Sequence, residues 1–401
     1  RSQRTHVPLG GVGIISPWNY PLSIPFGELV MGLMAGNAIM LKVAAQTPLV
    51  GKAIEKIVAA GALPSGLFQH IVGSGGAVST AFFKHGIDKI FFTGSVATGK
   101  QLMAQAAENL TPLSLELGGN DPMLVLADAD LERAANGAAW AGYQNAGQSC
   151  GGVARIYVER KVYAEFVQLL AEKTRKMRHG VDTDFEVEMG AMSTQNQLKV
   201  VERHVQDALD KGAKIEAQST AKGPTPGYFH PATLLTNISD DMLTMQEETF
   251  GPVMAVVPFD DLEQAIRKAN DSDLGLTSSV WTRDLAKGKA ISARLETGVT
   301  AINDHLYTHG LSETPWGGWK LSGIGRTHGA HGLQEMTHAK VVNWDILPAK
   351  RNLWWFPFSQ DTYTALLAAL RFAFPRSPGE YLGSSLKLTP YLLKKMFTSW
   401  K

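Results

Sequence analysis

Short apolar blocks alternate along this chain with stretches in which apolar residues recur at helical spacing. The block at 12–15, ended by Ser16-Pro17, predicts a buried strand. Ser23–Met34 predicts a helix, with Pro25 tolerable in its first turn. A second block at 38–41 ends at Lys42, and Thr47-Pro48 then opens a helix to about residue 60. A strand at 69–72, a helix at 78–85, a strand at 89–92, a helix at 98–109 and a strand at 113–117 continue the alternation. Strands alternating with helices at this spacing indicate a parallel α/β sheet. From about Gly119 the pattern resumes, with helices at 128–146, 161–177, 195–211 and Leu262–Asn270 and strands at 154–158, 255–258 and 278–281. That predicts a second α/β unit.

The last segment differs. Trp354, Trp355, Phe356 and Phe358 open it, and Asp361 is placed to cap a helix with the stripe Tyr363, Leu366, Leu367, Leu370 and Phe374. Thr389-Pro390 predicts the start of another helix, carrying Leu392, Leu393, Met396 and Phe397 beside Lys394 and Lys395. Residues 348–401 hold eight Lys and Arg against Asp361 and Glu380, a net charge of +6 that leaves −5 for the rest. Basic charge, aromatics and short amphipathic helices suit an anionic membrane surface. A tail packed on its own enzyme or on a partner subunit is the alternative.

Composition narrows the remaining classes. The 401 residues are 44% apolar and 19% charged, enough for two or three structural units with sizeable cores. The net charge of +1 offers no field for nucleic acid. The single cysteine cannot form an intramolecular disulfide, which points to a reducing, cytoplasmic setting. No window reaches the roughly 18 uninterrupted apolar residues of a spanning helix, and no signal-peptide pattern is seen. The chain enters a strand-like run at once from Arg1, which reads as the start of a fragment.

That one cysteine, Cys150, lies in the polar, glycine-rich stretch GQSCGG, where Gly147 and Gly151 leave room for a substrate to approach. A thiolate attacks carbonyl carbon well, but a free thiol has a pKa near ~8.5 and needs help. Alone, such a residue is more often an inert buried thiol. Asn19, in PWNYP, carries an amide able to donate to a developing oxyanion, or merely to cap its own turn. Glu116, near the end of an apolar strand before two glycines, is costly there unless it serves as a base or reaches solvent. Gly94-Ser95 opens a helix whose N-terminus can accept a phosphate, a simple serine cap being the commoner case. His305 and His309 have the i, i+4 spacing of a metal pair, but no glutamate follows the first, so no metal is expected. This loop reads as pocket lining, and His328 and His331 read as surface.

Taken together, PWNYP, FTGSVATGK, LELGG, GQSC followed by Arg155, EETFGPV and PWGGWKLSGIGR resemble the aldehyde dehydrogenase superfamily over about residues 6–345. The order of these motifs is far more specific than any one of them. The resemblance implies two doubly wound parallel-sheet domains, an oligomerisation strand and a helical C-terminal tail. It sets their bounds at 1–118 for a cofactor-binding domain, 119–318 for a catalytic domain, 319–347 for the return and oligomerisation strand, and 348–401 for the tail. Cys150 matches the nucleophile, Asn19 the oxyanion-hole amide and Glu116 the general base. Lys42 matches a ribose-holding lysine, Gly94 and Ser95 the turn under the pyrophosphate, and Glu248 and Phe250 the pair that positions the nicotinamide. Ser16, Trp18 and Ala45 join this cofactor-binding set.

The implied chemistry is oxidation of an aldehyde to a carboxylic acid with NAD or NADP. Cys150 attacks the aldehyde, hydride leaves for the nicotinamide, and Glu116 activates the water that hydrolyses the thioester. Family members commonly read Lys-Pro-Ser-Glu where this chain reads Lys42-Val43-Ala44-Ala45. Without that glutamate, which binds the ribose hydroxyls and repels a 2′-phosphate, NADP is expected to be accepted. Asn120, Trp316 and Leu274 also depart from the pattern and read as packing changes. Members also carry on the order of a hundred or more residues before PWN. The stretch GQSCGGVARIYV with its aromatic, basic tail is most similar to the branch acting on long apolar or carotenoid-derived aldehydes. A semialdehyde dehydrogenase, a CoA-dependent acylating enzyme and a silent scaffold are the alternatives. The expected partners are the aldehyde, further copies in a dimer or tetramer, and a membrane surface for the tail.

Overall fold

In the computed structural model, which describes residues 1–181, 184–346, 349–352 and 354–398, the apolar blocks become the strands of two sheets. The first sheet has the order Gly323–Ile324, Leu113–Glu116, Lys89–Thr93, Gly11–Ile15, Ala38–Lys42, Phe68–His70. All its neighbours run parallel except the short Gly323–Ile324. Ile14, Leu41 and Ile90 are fully buried in it, as near-continuous apolar strands of a parallel sheet must be. Helices Ser23–Met34, Pro48–Ala60, Gly75–Lys84 and Val96–Asn109 connect its strands. Pro48 sits in the first turn of its helix, and Ser74 and Ser95 cap theirs through their hydroxyls.

The second sheet runs Lys214–Gln218, Thr233–Thr236, Val253–Phe259, Val153–Glu159, Asp121–Val125, Thr277–Trp281, Val299–Ile302. It is parallel except for Lys214–Gln218 at the edge. Asp121–Val125 lies near its middle although its sequence opens Asp-Pro. A register shift between Asp121 and Pro122 absorbs the proline there, so the missing N–H costs no regular ladder bond. The helix expected at 128–146 is shorter. Asp130 accepts from the Arg133 amide and starts it at Leu131, and it ends at Tyr143 in a 3₁₀ turn, Gln144–Gly147.

The chain forms two compact units, residues 6–338, and residues 1–5 with 339–401. The second contains a helical hairpin, Gln360–Ala373 and Pro378–Phe397. Two expectations for it are corrected. Ser359, not Asp361, caps the first helix, its hydroxyl accepting from the Thr362 amide. The second helix starts at Pro378 behind a Ser377 cap and runs through Pro390, so Thr389-Pro390 opens nothing. The boundary expected between 347 and 348, and the last residue Lys401, lie outside the described residues.

Candidate active site

Parallel strands place all their carboxyl ends at one edge, and that edge is where ligands of such sheets gather. Ser16 follows Gly11–Ile15, Lys42 ends Ala38–Lys42, Gly94 follows Lys89–Thr93, and Glu116 ends Leu113–Glu116. Sheet topology alone therefore brings four of the sequence-predicted positions together.

Cys150 arrives from the other sheet by a strained turn. Asn145, Ala146 and Gly147 all have positive φ, at 54°, 54° and 68°. A Cβ on Gly147 would lie 2.1 Å from the Gly251 carbonyl oxygen, so only glycine fits. The room at Gly147 thus serves close chain packing rather than substrate approach, which corrects the expectation. At Gly151 likewise, Leu306, Thr277 and Trp316 already crowd the position. The turn also fixes Asn19. Asn19 Nδ2 donates to the Gln148 carbonyl at 3.1 Å, and Asn145 Nδ2 donates to the Asn19 carbonyl at 3.0 Å. Gln148 is tied down in turn by the Ser193 amide, which donates to its Oε1 at 2.8 Å.

Two cavities meet at Cys150. The outer one, about 780 Å³ and open to solvent, is lined among others by Trp18, Asn19, Gly94, Ser95, Glu248 and Phe250. Trp18 and Phe250 meet edge to face with centroids 5.5 Å apart. The Gly119 amide donates to Glu248 Oε1 at 3.1 Å, and burial raises the Glu248 pKa to about 7 against that bond. Ser16 and Lys42 are buried beside this edge, whereas Ala45 is exposed. The Ser16 amide donates to the Lys42 carbonyl at 3.0 Å. Burial lowers the Lys42 pKa, and among the described residues no ion pair meets its ammonium group. Ser16 Oγ, Asn19 Oδ1 and Thr93 Oγ1 are likewise buried with no partner among the described residues.

The inner cavity, about 350 Å³, is lined by Cys150, Glu116, Glu28, His309, Trp316 and His328, among others. Glu116 is 7% exposed, so it does not reach solvent. Burial pushes its pKa well up, the charge of Glu28 adds to that, and Arg326 and Trp316 pull it back. Burial also pushes the Cys150 thiol up, with further increments from Glu116, Glu248 and Asp121. In the free site the sulfur is therefore a neutral thiol, and a base or a bound cation is needed to ionise it.

Several readings change here. His328 is half-buried on the cavity wall, 5.3 Å from the His309 ring, and is not a surface residue. Trp316 is more than a packing change, because it faces both Glu116 and the His309 ring at 4.8 Å. His305 does not line the cavity, since its Nε2 is engaged by the Gly151 carbonyl at 2.9 Å and Thr277 Oγ1 at 3.2 Å. No group of metal-ligating side chains is found among the described residues. Arg155 is an anchor, donating to the Asn120, Lys268 and Ala269 carbonyls. Glu28 and Asp121 escaped the sequence reading. Their signal was a carboxylate inside an apolar block.

The model of the aldehyde dehydrogenase family matches residues 1–342. A Mycobacterium bovis protein that carries the provisional name succinate-semialdehyde dehydrogenase [NADP(+)] 2 is 40% identical over 336 residues, 84% of this chain and 65% of that protein. A Methylomonas 4,4'-diapolycopene aldehyde oxidase is 40% identical over 371 residues, 92% of this chain and 68% of that one. The crystal structure of a Mycobacterium tuberculosis aldehyde dehydrogenase complexed with NAD+ superposes with a TM-score of 0.82 at 35% identity, covering 86% of this chain and 71% of that one. The chain thus spans about two thirds of the length of such relatives. With its family model matched from end to end of both sheets, this chain belongs to the aldehyde dehydrogenase family.

Proposed function

We propose that the chain oxidises an aldehyde to a carboxylic acid with NAD+ or NADP+, through a thioester on Cys150. One observation carries this: Cys150 stands in the wall shared by an outer cleft and an inner cavity that holds Glu116. The outer cleft suits a dinucleotide, because buried, unpartnered groups there call for a polar ligand. Lys42 and Ser16 would hold its ribose and phosphate side, Gly94 and Ser95 its pyrophosphate, and Trp18, Glu248 and Phe250 its nicotinamide end. When bound, such a cofactor supplies the hydride acceptor.

The rest falls to this chain's own side chains. Cys150 Sγ forms a bond to the aldehyde carbon as its proton passes to Glu116, which gives it up to solvent before the second step. Asn19 donates to the oxygen that gains charge, and the turn already holds it in place. Once the acyl group is a thioester, Glu116 takes a proton from water. Its raised pKa makes it a stronger base than an ordinary carboxylate. The water oxygen then bonds to the acyl carbon, and the C–S bond breaks with its electron pair on sulfur.

A long apolar aldehyde is the favoured substrate class over a semialdehyde. No lysine or arginine lines the inner cavity, and the Arg326 guanidinium is engaged by the Gly318 and Gly325 carbonyls. His309 and His328 are held below the usual histidine range by burial, so neither offers a charge to a second carboxylate at neutral pH. Ala45 leaves no carboxylate against a 2′-phosphate, so both cofactors are accepted. The test is NAD(P)H formation across aldehydes of rising chain length and succinic semialdehyde, with both cofactors. Preference for the semialdehyde would reject the apolar reading, and absence of turnover with every aldehyde would favour a silent scaffold.

The same reading assigns the hairpin to an anionic membrane surface. Its two helices pack through small residues, with Ala365 and Ala368 buried against Ser384 and Leu388. Tyr363, Leu370, Phe374, Leu382, Leu386 and Phe397 stay exposed, as do Trp354 and Trp355. Among the described residues no helix is long and apolar enough to cross a membrane, so attachment is peripheral. Sedimentation with anionic vesicles at low and high salt tests this, and a chain ending at Ile346 that still sediments would refute it. The exposed Val341, Val342 and Trp344, on and beside strand Thr337–Asn343, support a homodimer or tetramer. Light scattering tests that state.

A further inference from the structure

Helix Ser23–Met34 is apolar where it faces inward, with Ile24, Leu29 and Gly32 buried, yet Glu28 is buried among them at 3% exposure. Its Oε2 has no hydrogen-bond partner among the described residues, and no salt bridge reaches it. A carboxyl group left so is unfavourable, and a leucine of similar length would serve packing better. What Glu28 does face is the inner cavity, where it lines the wall with Glu116 and Cys150. Glu116 Oε2 is itself buried without a partner. Two unsatisfied carboxyl oxygens thus belong to the wall of one cavity.

We propose that Glu28 is a positioning residue for Glu116: its carboxyl group faces the same cavity with no hydrogen bond to Glu116, and its charge sets the basicity of Glu116 in the water-activating step. The inference rests on Glu116 being the base. With Glu116 as the carboxylate, a water O–H bond breaks, its proton goes to Glu116, its oxygen bonds to the acyl carbon, and the C–S bond breaks with its electron pair on sulfur. The proton on Glu116 then leaves through the cavity. Two like charges in one low-dielectric space do not ionise together, so the pair loses its protons in two separate steps.

The charges around the pair agree. Burial raises the Glu28 pKa to about 8, and Glu28 is the first charged group that raises Glu116. Arg326 acts on Glu116 in the opposite sense. The other titratable groups on the wall are Cys150, His309 and His328. Burial holds the thiol protonated and both imidazoles neutral at pH 7, so neither histidine supplies a competing charge. Glu248 and Asp121 act on Cys150 instead.

The experiment is the pH dependence of thioester hydrolysis in single turnover, for the full chain, Glu28→Gln and Glu28→Met. The wild-type rate should rise with pH through the raised Glu116 ionisation. Either variant removes the like charge, so the limb should move to lower pH by about one unit, a tenfold gain in rate on its acid side. The KM values for aldehyde and cofactor should stay put. Glu28→Gln should also melt higher at pH 8. A buried acid whose pKa is raised loses stability as pH climbs from its unfolded value to its folded value near 8, and glutamine lacks that loss. An unmoved limb in both variants, with Glu116→Gln still slow, overturns the role of Glu28 alone. Wild-type hydrolysis by Glu116→Gln overturns the base assignment beneath it.

Discussion

Residues 6–338 and the C-terminal hairpin differ in which large apolar side chains they leave exposed. In residues 6–338 the sheets hide isoleucine, valine and phenylalanine, and orphaned polar atoms cluster around Cys150. In the hairpin Ala365, Ala368, Ser384 and Leu388 are inside, while Leu370, Phe374 and Leu386 are exposed at 58%, 78% and 75%. Each departure from the ordinary pattern suits the companion proposed for it. Unpaired buried oxygens call for a polar ligand, and exposed large apolar groups call for an apolar surface. On the proposed reading the chemistry and the attachment are separable, so substitutions should break one without the other.

Cys150→Ser should have the largest effect, lowering steady-state NAD(P)H formation ~10³-fold or more while leaving vesicle sedimentation as before. Asn19→Ala should lower kcat by about 10²- to 10³-fold, since the oxyanion loses its side-chain donor. A smaller loss in kcat with an unchanged KM would mean that a backbone amide carries that load.

The hairpin should answer differently. Leu370→Asp with Phe374→Asp should abolish vesicle binding and leave kcat on a water-soluble aldehyde unaltered. Ala365→Leu, by contrast, places bulk in the small-residue seam and should destabilise the hairpin by roughly 1–3 kcal/mol. If the exposed pair proves the more destabilising, the apolar stripe packs on protein and the membrane assignment fails. Ala45→Glu should have the smallest effect, shifting the ratio of kcat/KM for NADP+ and NAD+ toward NAD+ with little change in the better of the two. A wild-type enzyme that rejects NADP+ would place the choice elsewhere.

The extent to which the sequence disclosed all this follows from range. Ser23–Met34 and Leu262–Asn270 were legible to the residue, because apolar spacing is a local signal. Asp121–Val125 was not, since Asp-Pro reads locally as a turn and only its neighbours make it a strand. The helix through Pro390 was missed for the same reason. Cys150, Glu116 and Asn19 were singled out by their motifs, and in the structure they line two cavities that meet at Cys150. Glu28, Trp316 and His328 were overlooked or set aside, because their meaning depends on a cavity assembled from segments some three hundred positions apart.

The most direct test of the central claim uses Glu116→Gln, in which hydrolysis is slow. The protein is mixed with one aldehyde and NAD+, quenched, digested and weighed by mass spectrometry. The account predicts an acyl adduct on the peptide that carries Cys150, formed in step with one NADH per adduct. NADH produced with no adduct there would show that the carbonyl carbon never bonds to this sulfur.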